Sequence, residues 1–197
     1  MTAQTVLALD TSGPHVAAAV LWPGGETAWV EAMAKGQAER LMPLVEEVLA
    51  EAGLVPRDLD LIGVGVGPGN FTGIRIAVSA ARGLALGLGV PAIGVSGLEA
   101  TAAGLARPVT ALLPAPRGQS YAQTFAQSFD GGAPRLLPRG EEPDGPVAPP
   151  LAPGDLVLAI ARLAGERAGT GQPRPAPLYL RPADAAPPKD PAPVLLP

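Results

Sequence analysis

Short apolar runs and a helical repeat alternate along the start of the chain. The run TVLALDTS is apolar up to Asp10, which predicts a buried strand ending in a polar turn. Two further strand-like runs flank the Pro-Gly-Gly of residues 23–25 and predict a hairpin. Apolar residues then recur at helical spacing over residues 41–52, and Gly53 follows as a stop. This part therefore predicts three strands followed by a helix.

The next part alternates strands with helices. LDLIGVGV predicts a second buried strand, and a glycine-rich loop over residues 67–73 joins it to a helix for which Thr72 is a plausible cap. Ala80, Gly83 and Gly87 leave much of that helix without large side chains, which favours close approach of another helix. PAIGV predicts a third buried strand, and Ser96 begins a short helix. Three strands followed by βα alternation are typical of a ribonuclease-H-like lobe with a mixed sheet.

The remainder predicts a second, reduced lobe. Strand-like runs after Pro108 repeat the opening pattern, and a helix capped by Asp155 follows. The run PLYL predicts an edge strand. We therefore expect an α/β fold with an N-terminal lobe over residues 1–107 and an abbreviated C-terminal lobe over residues 108–197. Within the second lobe we expect a proline-rich linker at 139–154 and a poorly ordered tail at 182–197.

Composition narrows the function classes. The 197 residues include 25 glycines and 25 prolines, but 16 of the prolines fall between Pro134 and Pro197, so the first two-thirds reads as globular. A formal net charge of −4 is the wrong sign for a chain that grips nucleic acid over a broad surface. The chain has no cysteine, which excludes thiolate chemistry, and a start that lacks a signal-peptide pattern predicts a cytoplasmic protein.

The loop over residues 67–73 fits no strict nucleotide-binding pattern. A P-loop ends in Gly-Lys-Ser/Thr, whereas Gly73 is followed by Ile74 and Arg75. The spacing from Gly67 is one residue too long for the dinucleotide fingerprint. The glycines are therefore as readily explained by a sharp turn and a close backbone approach.

Asp10, Thr11 and Ser12 suggest more specific chemistry. In actin-like phosphotransferases an Asp at the end of a strand holds hydrated Mg²⁺, and small hydroxyl residues face the phosphates. Polar residues also simply suit a turn after a strand, and both readings stay open. The second phosphate turn that such an enzyme needs has one candidate, residues 130–132, which reads better as a hairpin turn.

No other catalytic set is convincing. His15 is the single histidine, so a metal site with two histidines is excluded, and we predict no metal site and no catalytic residue. Asp10, Ser12 and His15 are close in sequence, but we do not expect a strand and its turn to align them as a hydrolase relay.

The order of these motifs resembles the bacterial TsaB (YeaZ) family. The resemblance lies in LALDTS, in QAERLMPLVEEVLAEAGL, in GVGPGNFTGIRIAVSAARGLALGLGVPAIGVSGLEA and in PLYLRPADA. It covers residues 5–104 almost continuously and resumes at Pro177. The family is actin-like, of the ASKHA class, and related to glycoproteases. The resemblance implies a two-lobe actin-like fold with an abbreviated second lobe.

The resemblance also implies a function. It indicates a non-catalytic partner of the TsaD threonylcarbamoyltransferase, which makes threonylcarbamoyladenosine in tRNAs that read ANN codons. The small ATPase TsaE joins the assembly, tRNA is held mainly by the complex, and ATP or ADP and metal belong to partner subunits. In the family, helices of the first lobe meet TsaD or a second copy. Here those helices supply Arg40, Leu41, Leu44, Val45, Val48, Ile74, Ala77, Ala80, Ala81, Gly83 and Leu84.

Under this reading the motif at the strand end and the glycine loop form a vestigial nucleotide site, comprising Asp10, Thr11, Ser12, Gly67, Gly69, Asn70, Thr72 and Gly73. Two departures from the family pattern stand out. Gln37 takes a position where the family often has His, which further disfavours a metal. The family segment D-A-R-x-G-x-V-Y is degenerate over residues 114–121.

Two alternatives belong to other classes of function. An actin-like small-molecule kinase would use Asp10 and the loop over residues 67–73 with ATP. A peptidase of the glycoprotease type would need metal ligands or a nucleophile relay, and one histidine without cysteine gives it little support. We expect no membrane segment, because no apolar run approaches the roughly 20 residues that span a bilayer.

Overall fold

The computed structural model describes residues 4–126 and 132–180. Two β-sheets are built from eight strands, and four α-helices accompany them. In chain order the elements are β1 Val6–Asp10, β2 His15–Trp22, β3 Gly25–Ala32, α1 Gln37–Glu51, β4 Leu61–Gly65, α2 Phe71–Leu88, β5 Ala92–Val95, α3 Gly97–Ala102, β6 Val109–Pro114, β7 Ser120–Phe125, β8 Arg135–Leu137 and α4 Pro153–Glu166.

The first sheet is mixed, in the strand order β3-β2-β1-β4-β5. Strands β1, β2 and β3 form an antiparallel meander, and β4 pairs parallel to both β1 and β5. Leu9 in the central strand therefore lies between Ala18 and Val64. This arrangement confirms the predicted order of strands and helices in the first lobe.

The two faces of the first sheet carry different helices. Leu7 and Leu9 face α1 and α2 and share one apolar core with them. Val6 and Ala8 face the opposite way and pack with α4. Because side chains alternate along a strand, the run VLALD supplies both cores at once. A continuous apolar run is the pattern expected of a strand buried on both faces.

Helix α4 packs on the first sheet, although the sequence assigned it to the second lobe. Val157, Ile160 and Ala161 are fully buried among Ala8, Leu61 and their neighbours. A Cβ on Gly63 would lie 2.9 Å from the Cβ of Ala164, so a small residue there allows the helix to approach closely. The assignment of this helix to the C-terminal lobe is therefore corrected. The predicted lobe limits at residues 107 and 108 otherwise stay a prediction.

The second sheet is small and antiparallel, in the order β6-β7-β8. Phe125 and Tyr121 of β7 are buried with Leu98 and Ala102 of α3 in a third apolar core. The proline-rich segment that follows is tied to this sheet by a bridge between Val147 and Thr110. The predicted hairpin turn at residues 130–132 and the predicted tail at 182–197 lie largely or wholly outside the described residues.

Three local predictions are wrong. Helix α4 begins at Pro153 after Ala152, so Asp155 lies in its first turn and is not the cap. Residues 177–180 form no strand, and the Leu178 amide instead donates a 2.8 Å hydrogen bond to the Val66 carbonyl. The cap of α2 is Asn70 and not Thr72. Each error concerns where an element begins or pairs, which depends on tertiary contacts as well as on local sequence.

Within the part of the chain that the structure describes, α2 is the one helix long and apolar enough to span a membrane by length and composition. It has 18 residues with a mean hydropathy of 1.3, and 33% of it is buried. Ile74, Ala77 and Ala81 form the buried stripe against the sheet. Such a stripe is typical of a helix in a soluble domain.

Candidate functional site

Asp10 lies at the carboxyl end of β1 and is almost fully buried, with 1% of its surface exposed. Its Oδ2 atom accepts a 3.0 Å hydrogen bond from the Ser12 hydroxyl and lies 2.8 Å from Nε2 of His15. The structure thus brings together three residues that we did not expect to align. They still form no nucleophile relay, because a relay places the imidazole between the hydroxyl and the carboxylate. Here the carboxylate lies in the middle.

The glycine loop packs directly on the turn after β1. A Cβ on Gly69 would lie 2.4 Å from the Ser12 carbonyl oxygen, and one on Gly73 would lie 1.9 Å from that of Thr11. Thr11 Oγ1 donates a 2.6 Å hydrogen bond to the Gly73 carbonyl. The backbone amide of Asn70 donates a 2.7 Å hydrogen bond to the Ser12 carbonyl. The glycines are therefore required by contact between two backbone segments.

The N-terminus of α2 is satisfied in part by the chain itself. The Asn70 side chain accepts a 2.8 Å hydrogen bond from the Gly73 amide, and the Asn70 carbonyl accepts the bond from Ile74 at 2.9 Å. Gly67, with φ of 95°, precedes a cis peptide bond to Pro68 and turns the chain into this cap. Donors that could otherwise hold an anion at a helix N-terminus are thus already used in part.

Seven of the eight residues predicted for a vestigial nucleotide site lie together here. They are Asp10, Thr11, Ser12, Gly67, Gly69, Asn70 and Gly73. Thr72 is exposed and faces a different groove, described below. In residues 4–126 and 132–180, no group of three or more His, Asp or Glu side chains comes together.

A cavity of about 470 Å³ opens beside this loop. Its polar lining comes from Ser12, His15, Gln37, Asn70 and Tyr121, and its other walls are apolar or proline. None of the described residues that line it is Lys or Arg. The cavity is within the size range of small-molecule sites.

Gln37 closes one side of this cavity. Its side-chain amide donates hydrogen bonds to the carbonyls of Gly13 at 2.9 Å and of His15 at 2.6 Å. Gln37 thus holds the turn between β1 and β2 against the start of α1. The sequence shows that Gln37 departs from the family pattern, but it does not predict this role. The two carbonyls that Gln37 binds lie 22 and 24 residues away along the chain, so no local pattern indicates the contact.

The outer surface of α1 and α2 contains only part of the predicted partner interface. Most of the predicted residues belong to the protein's own core, which corrects the predicted set. The buried ones are Leu41, Leu44, Val45, Val48, Ile74, Ala77 and Ala81. Arg40, Ala80, Gly83 and Leu84 keep some or all of their surface exposed. Leu86, which was not predicted, is 85% exposed on the same helix.

A groove of about 400 Å³ runs between the two helices. Leu41, Met42, Ile76 and Ala80 supply apolar lining, and Ala38, Thr72, Arg75 and Ser79 complete it. Met42 is 37% exposed within this groove. We call this feature the α1/α2 groove. Its partly exposed apolar lining is suited to binding another protein segment.

Arg40 joins α1 to the edge strand β3. Its guanidinium donates hydrogen bonds to Glu31 and Glu47, including a 2.8 Å bond from Nε to Glu31 and a 2.9 Å bond from Nη1 to Glu47. These hydrogen bonds lower the pKa of both carboxyl groups and raise the pKa of Arg40. Arg40 therefore already has two partners within the chain.

An aromatic cluster marks the start of α2. The Phe71 and Tyr179 rings stack with their centroids 4.7 Å apart, and the Arg75 guanidinium lies 3.8 Å from the Phe71 centroid. Arg75 Nε also donates a 2.7 Å hydrogen bond to the Tyr179 hydroxyl. No local pattern could predict this cluster, since Tyr179 is 104 residues away from Arg75.

Comparison with known proteins identifies a family to which this fold and this glycine loop belong. The family described as "TsaD: tRNA N6-adenosine threonylcarbamoyltransferase" matches residues 31–134. The Escherichia coli protein named "tRNA threonylcarbamoyladenosine biosynthesis protein TsaB" is 32% identical over 84% of this chain and 71% of its own length. The chain belongs to the TsaB family, within this TsaD-related group. A Haemophilus influenzae member of the family is 40% identical over half of this chain, a match that spans 42% of that relative's length.

Solved structures agree with the family assignment. The structure "YeaZ from Pseudomonas aeruginosa" superposes with a TM-score of 0.73 at 29% identity, covering 90% of this chain and all of that one. The predicted α/β, actin-like fold with a mixed sheet is thereby confirmed, as is the resemblance to the TsaB family.

Proposed function

We propose that this chain is a non-catalytic subunit in the synthesis of threonylcarbamoyladenosine on tRNAs that read ANN codons. Its relatives carry names from that pathway. The observation that supports a non-catalytic role is the state of the loop at the end of β1. The Asp10 carboxylate and the cap of α2 are occupied by Ser12, His15 and Gly73 of the same chain.

The partner in this proposal is a TsaD-like catalytic subunit, which meets the outer face of α1 and α2. A Cβ added to Gly83 or Gly87 would project into open space, with no atom of another segment within 4 Å. The two glycines let a partner helix approach this face closely, and Leu86 between them, 85% exposed, supplies apolar surface for the partner to cover. A second copy of the chain could use the same face. A TsaE-like ATPase completes the assembly in the cytoplasm.

Other subunits carry the ligands in this proposal. ATP or ADP and the metal bind to partner subunits, which agrees with a cavity whose described lining lacks Lys and Arg. The tRNA is held mainly by the complex, which agrees with a net charge of −4 on this chain.

Mixing the chain with the TsaD-related protein of the same genome tests the proposal. A stable heterodimer should form at micromolar concentration and elute as one species on gel filtration. Gly83→Trp and Ala80→Trp should abolish it, because a large side chain prevents close helix packing. Ala106→Trp, at an exposed position outside α2, is the matched control and should leave the complex intact. Separate elution of the two wild-type proteins would contradict the proposal.

The kinase alternative makes the opposite prediction for the isolated chain. It requires ATP turnover by this protein alone, abolished by Asp10→Ala. Turnover that survives Asp10→Ala would contradict a kinase that uses Asp10. The peptidase alternative likewise requires cleavage by the isolated chain. We expect no turnover in either assay.

A further inference from the structure

Tyr179, the residue before the last described one, lies beside the α1/α2 groove. Tyr179 stacks on Phe71, and its hydroxyl accepts the hydrogen bond from Arg75. Arg75 in turn lines the groove. Leu180 then packs against the third apolar core, so the 17 residues that follow it begin between that core and the end of the groove nearest the start of α2.

Those 17 residues have one apolar segment, and it lies at their far end. The sequence from residue 181 is RPADAAPPKDPAPVLLP, in which Val194, Leu195 and Leu196 form the apolar segment. Everything before it is proline, alanine or charged. A segment of three large apolar residues gains free energy from burial, at about 1.5–3 kcal/mol for each side chain that is fully buried.

The connecting chain is long enough to reach the groove. Residues 181–193 separate Leu180 from Val194, and 13 extended residues span at most about 45 Å. The groove follows α2 from Thr72 to Ala80, a rise of about 12 Å along the helix. Because the segment is tethered, its effective concentration at the groove is on the order of millimolar, which favours occupancy even by a weak contact.

We propose that Val194, Leu195 and Leu196 bind in the α1/α2 groove of their own chain, against Met42, Ile76 and Ala80. The groove is apolar where these side chains would lie, and Tyr179, two residues before the connecting chain, contacts Arg75 at its end. The consequence for assembly rests on the proposed function. The bound segment would cover part of the face offered to the catalytic partner, so that the partner must displace it.

The absence of cysteine allows a direct test in the full-length chain. We would pair Leu195→Cys with Ser79→Cys, which lines the groove, or with Thr170→Cys, an exposed position just beyond α4 on the other face of the sheet. Under mild oxidation at micromolar concentration, the Ser79 pair should form an intramolecular disulfide at least about tenfold faster, as expected from local concentration. Tryptic mass spectrometry identifies the product.

A matched control separates apolar binding from mere reach. Adding Val194→Asp and Leu196→Asp to the Ser79 pair leaves the tether length unchanged and should remove its advantage over the Thr170 pair. Equal rates for the two pairs, or an advantage that survives both aspartates, would overturn the proposal. Disulfides formed between chains, at a rate that rises with concentration, would place a second copy in the groove and overturn it as well.

The effect on assembly is measured separately. A chain ending at residue 180 should bind the TsaD-related protein about tenfold more tightly than the full chain if the segment occupies the groove about nine-tenths of the time. An unchanged affinity would contradict the competition. If the partner binds neither chain, the proposed function fails, while the disulfide experiment still decides what occupies the groove.

Discussion

Two glycines of the same helix illustrate how differently a single position can be constrained. Gly73 has the Thr11 carbonyl oxygen 1.9 Å from the place where a Cβ would lie, whereas Gly83 has no atom of another segment within 4 Å. Sequence alone shows two glycines in a helical repeat. The difference arises because the first turn of α2 rests on the end of β1, while the middle of the helix faces outward.

Alanine at these two positions should change the free energy of unfolding in opposite directions. Gly73→Ala forces the backbone of α2 and β1 apart, and overpacking of this kind destabilises by about 1–3 kcal/mol. Gly83→Ala should stabilise the protein by about 0.5–1 kcal/mol, because alanine is the better helix former. Urea denaturation of both variants and the wild type measures the difference. Equal effects would mean that the close approach at Gly73 does not constrain the protein.

At the scale of the element, the sequence predicts which segments are helices and strands better than where they begin. The apolar repeats predicted α1 and α2, and Ser96, predicted to begin α3, forms a capping box there with Glu99. Thr72 was predicted to cap α2 because its hydroxyl precedes the apolar repeat of the helix, but Asn70 has a suitable side chain as well. The choice depends on which residue has an extended backbone, and Asn70 has φ −63° and ψ 122°.

Removing each candidate cap separately tests that assignment. Asn70→Ala should lower the free energy of unfolding by about 1 kcal/mol, because the Gly73 amide loses its acceptor. Thr72→Ala should change the free energy of unfolding by less than about 0.5 kcal/mol, as expected of an exposed side chain that caps no helix. Thermal or urea denaturation of the two variants is sufficient. A larger loss for Thr72→Ala would reverse the assignment.

The contact of Arg40 with Glu31 and Glu47, which joins α1 to β3, should make the stability of the protein depend on pH in the acid range. Hydrogen bonds from Arg40 lower the pKa of Glu31 and Glu47 below the ordinary value of 4.5. A carboxyl group with a lowered folded-state pKa stabilises the fold above that ordinary value, and the contribution is lost as the pH falls through the folded-state pKa.

Arg40→Met should therefore weaken the fold at about pH 6, and the difference from wild type should be smaller at about pH 3, because protonation of the two carboxyl groups removes the stabilisation as the pH falls. Methionine keeps much of the apolar stem while removing the charge. The urea midpoint at the two pH values gives the comparison, and Arg82→Met, at another exposed arginine of this region, is the control. A difference between Arg40→Met and wild type that is the same at both pH values would contradict the assigned ion pairs.

At the scale of the whole molecule, the fold was predictable and the position of its last helix was not. The βββα pattern and the family resemblance predicted the mixed sheet. They could not place α4, because an amphipathic helix of this length could cover either sheet. The small residues Ala8, Ala17, Ala19 and Gly63 decide the matter, since they leave room for α4 on one face of the first sheet. Their role is visible only when the strands are aligned in register.

The predicted lobe of residues 1–107 should therefore not fold by itself. Without α4, one face of the first sheet would expose Val6, Leu61, Ile93 and Val95 to water. A fragment ending at residue 107 should bind a hydrophobic dye, aggregate or unfold without cooperativity. A fragment ending at residue 180 should unfold in one cooperative transition monitored by circular dichroism. Cooperative unfolding of the shorter fragment would show that α4 is dispensable.

The late position of α4 also has a consequence for synthesis on the ribosome. Strand β5 ends at Val95, and 57 residues must be added before α4 begins at Pro153. At about 5–20 residues per second, this interval lasts on the order of 3–11 seconds. Throughout that time the apolar face of the growing sheet has no helix to cover it. We therefore expect the nascent chain to depend on a chaperone throughout this interval, until α4 emerges from the ribosome.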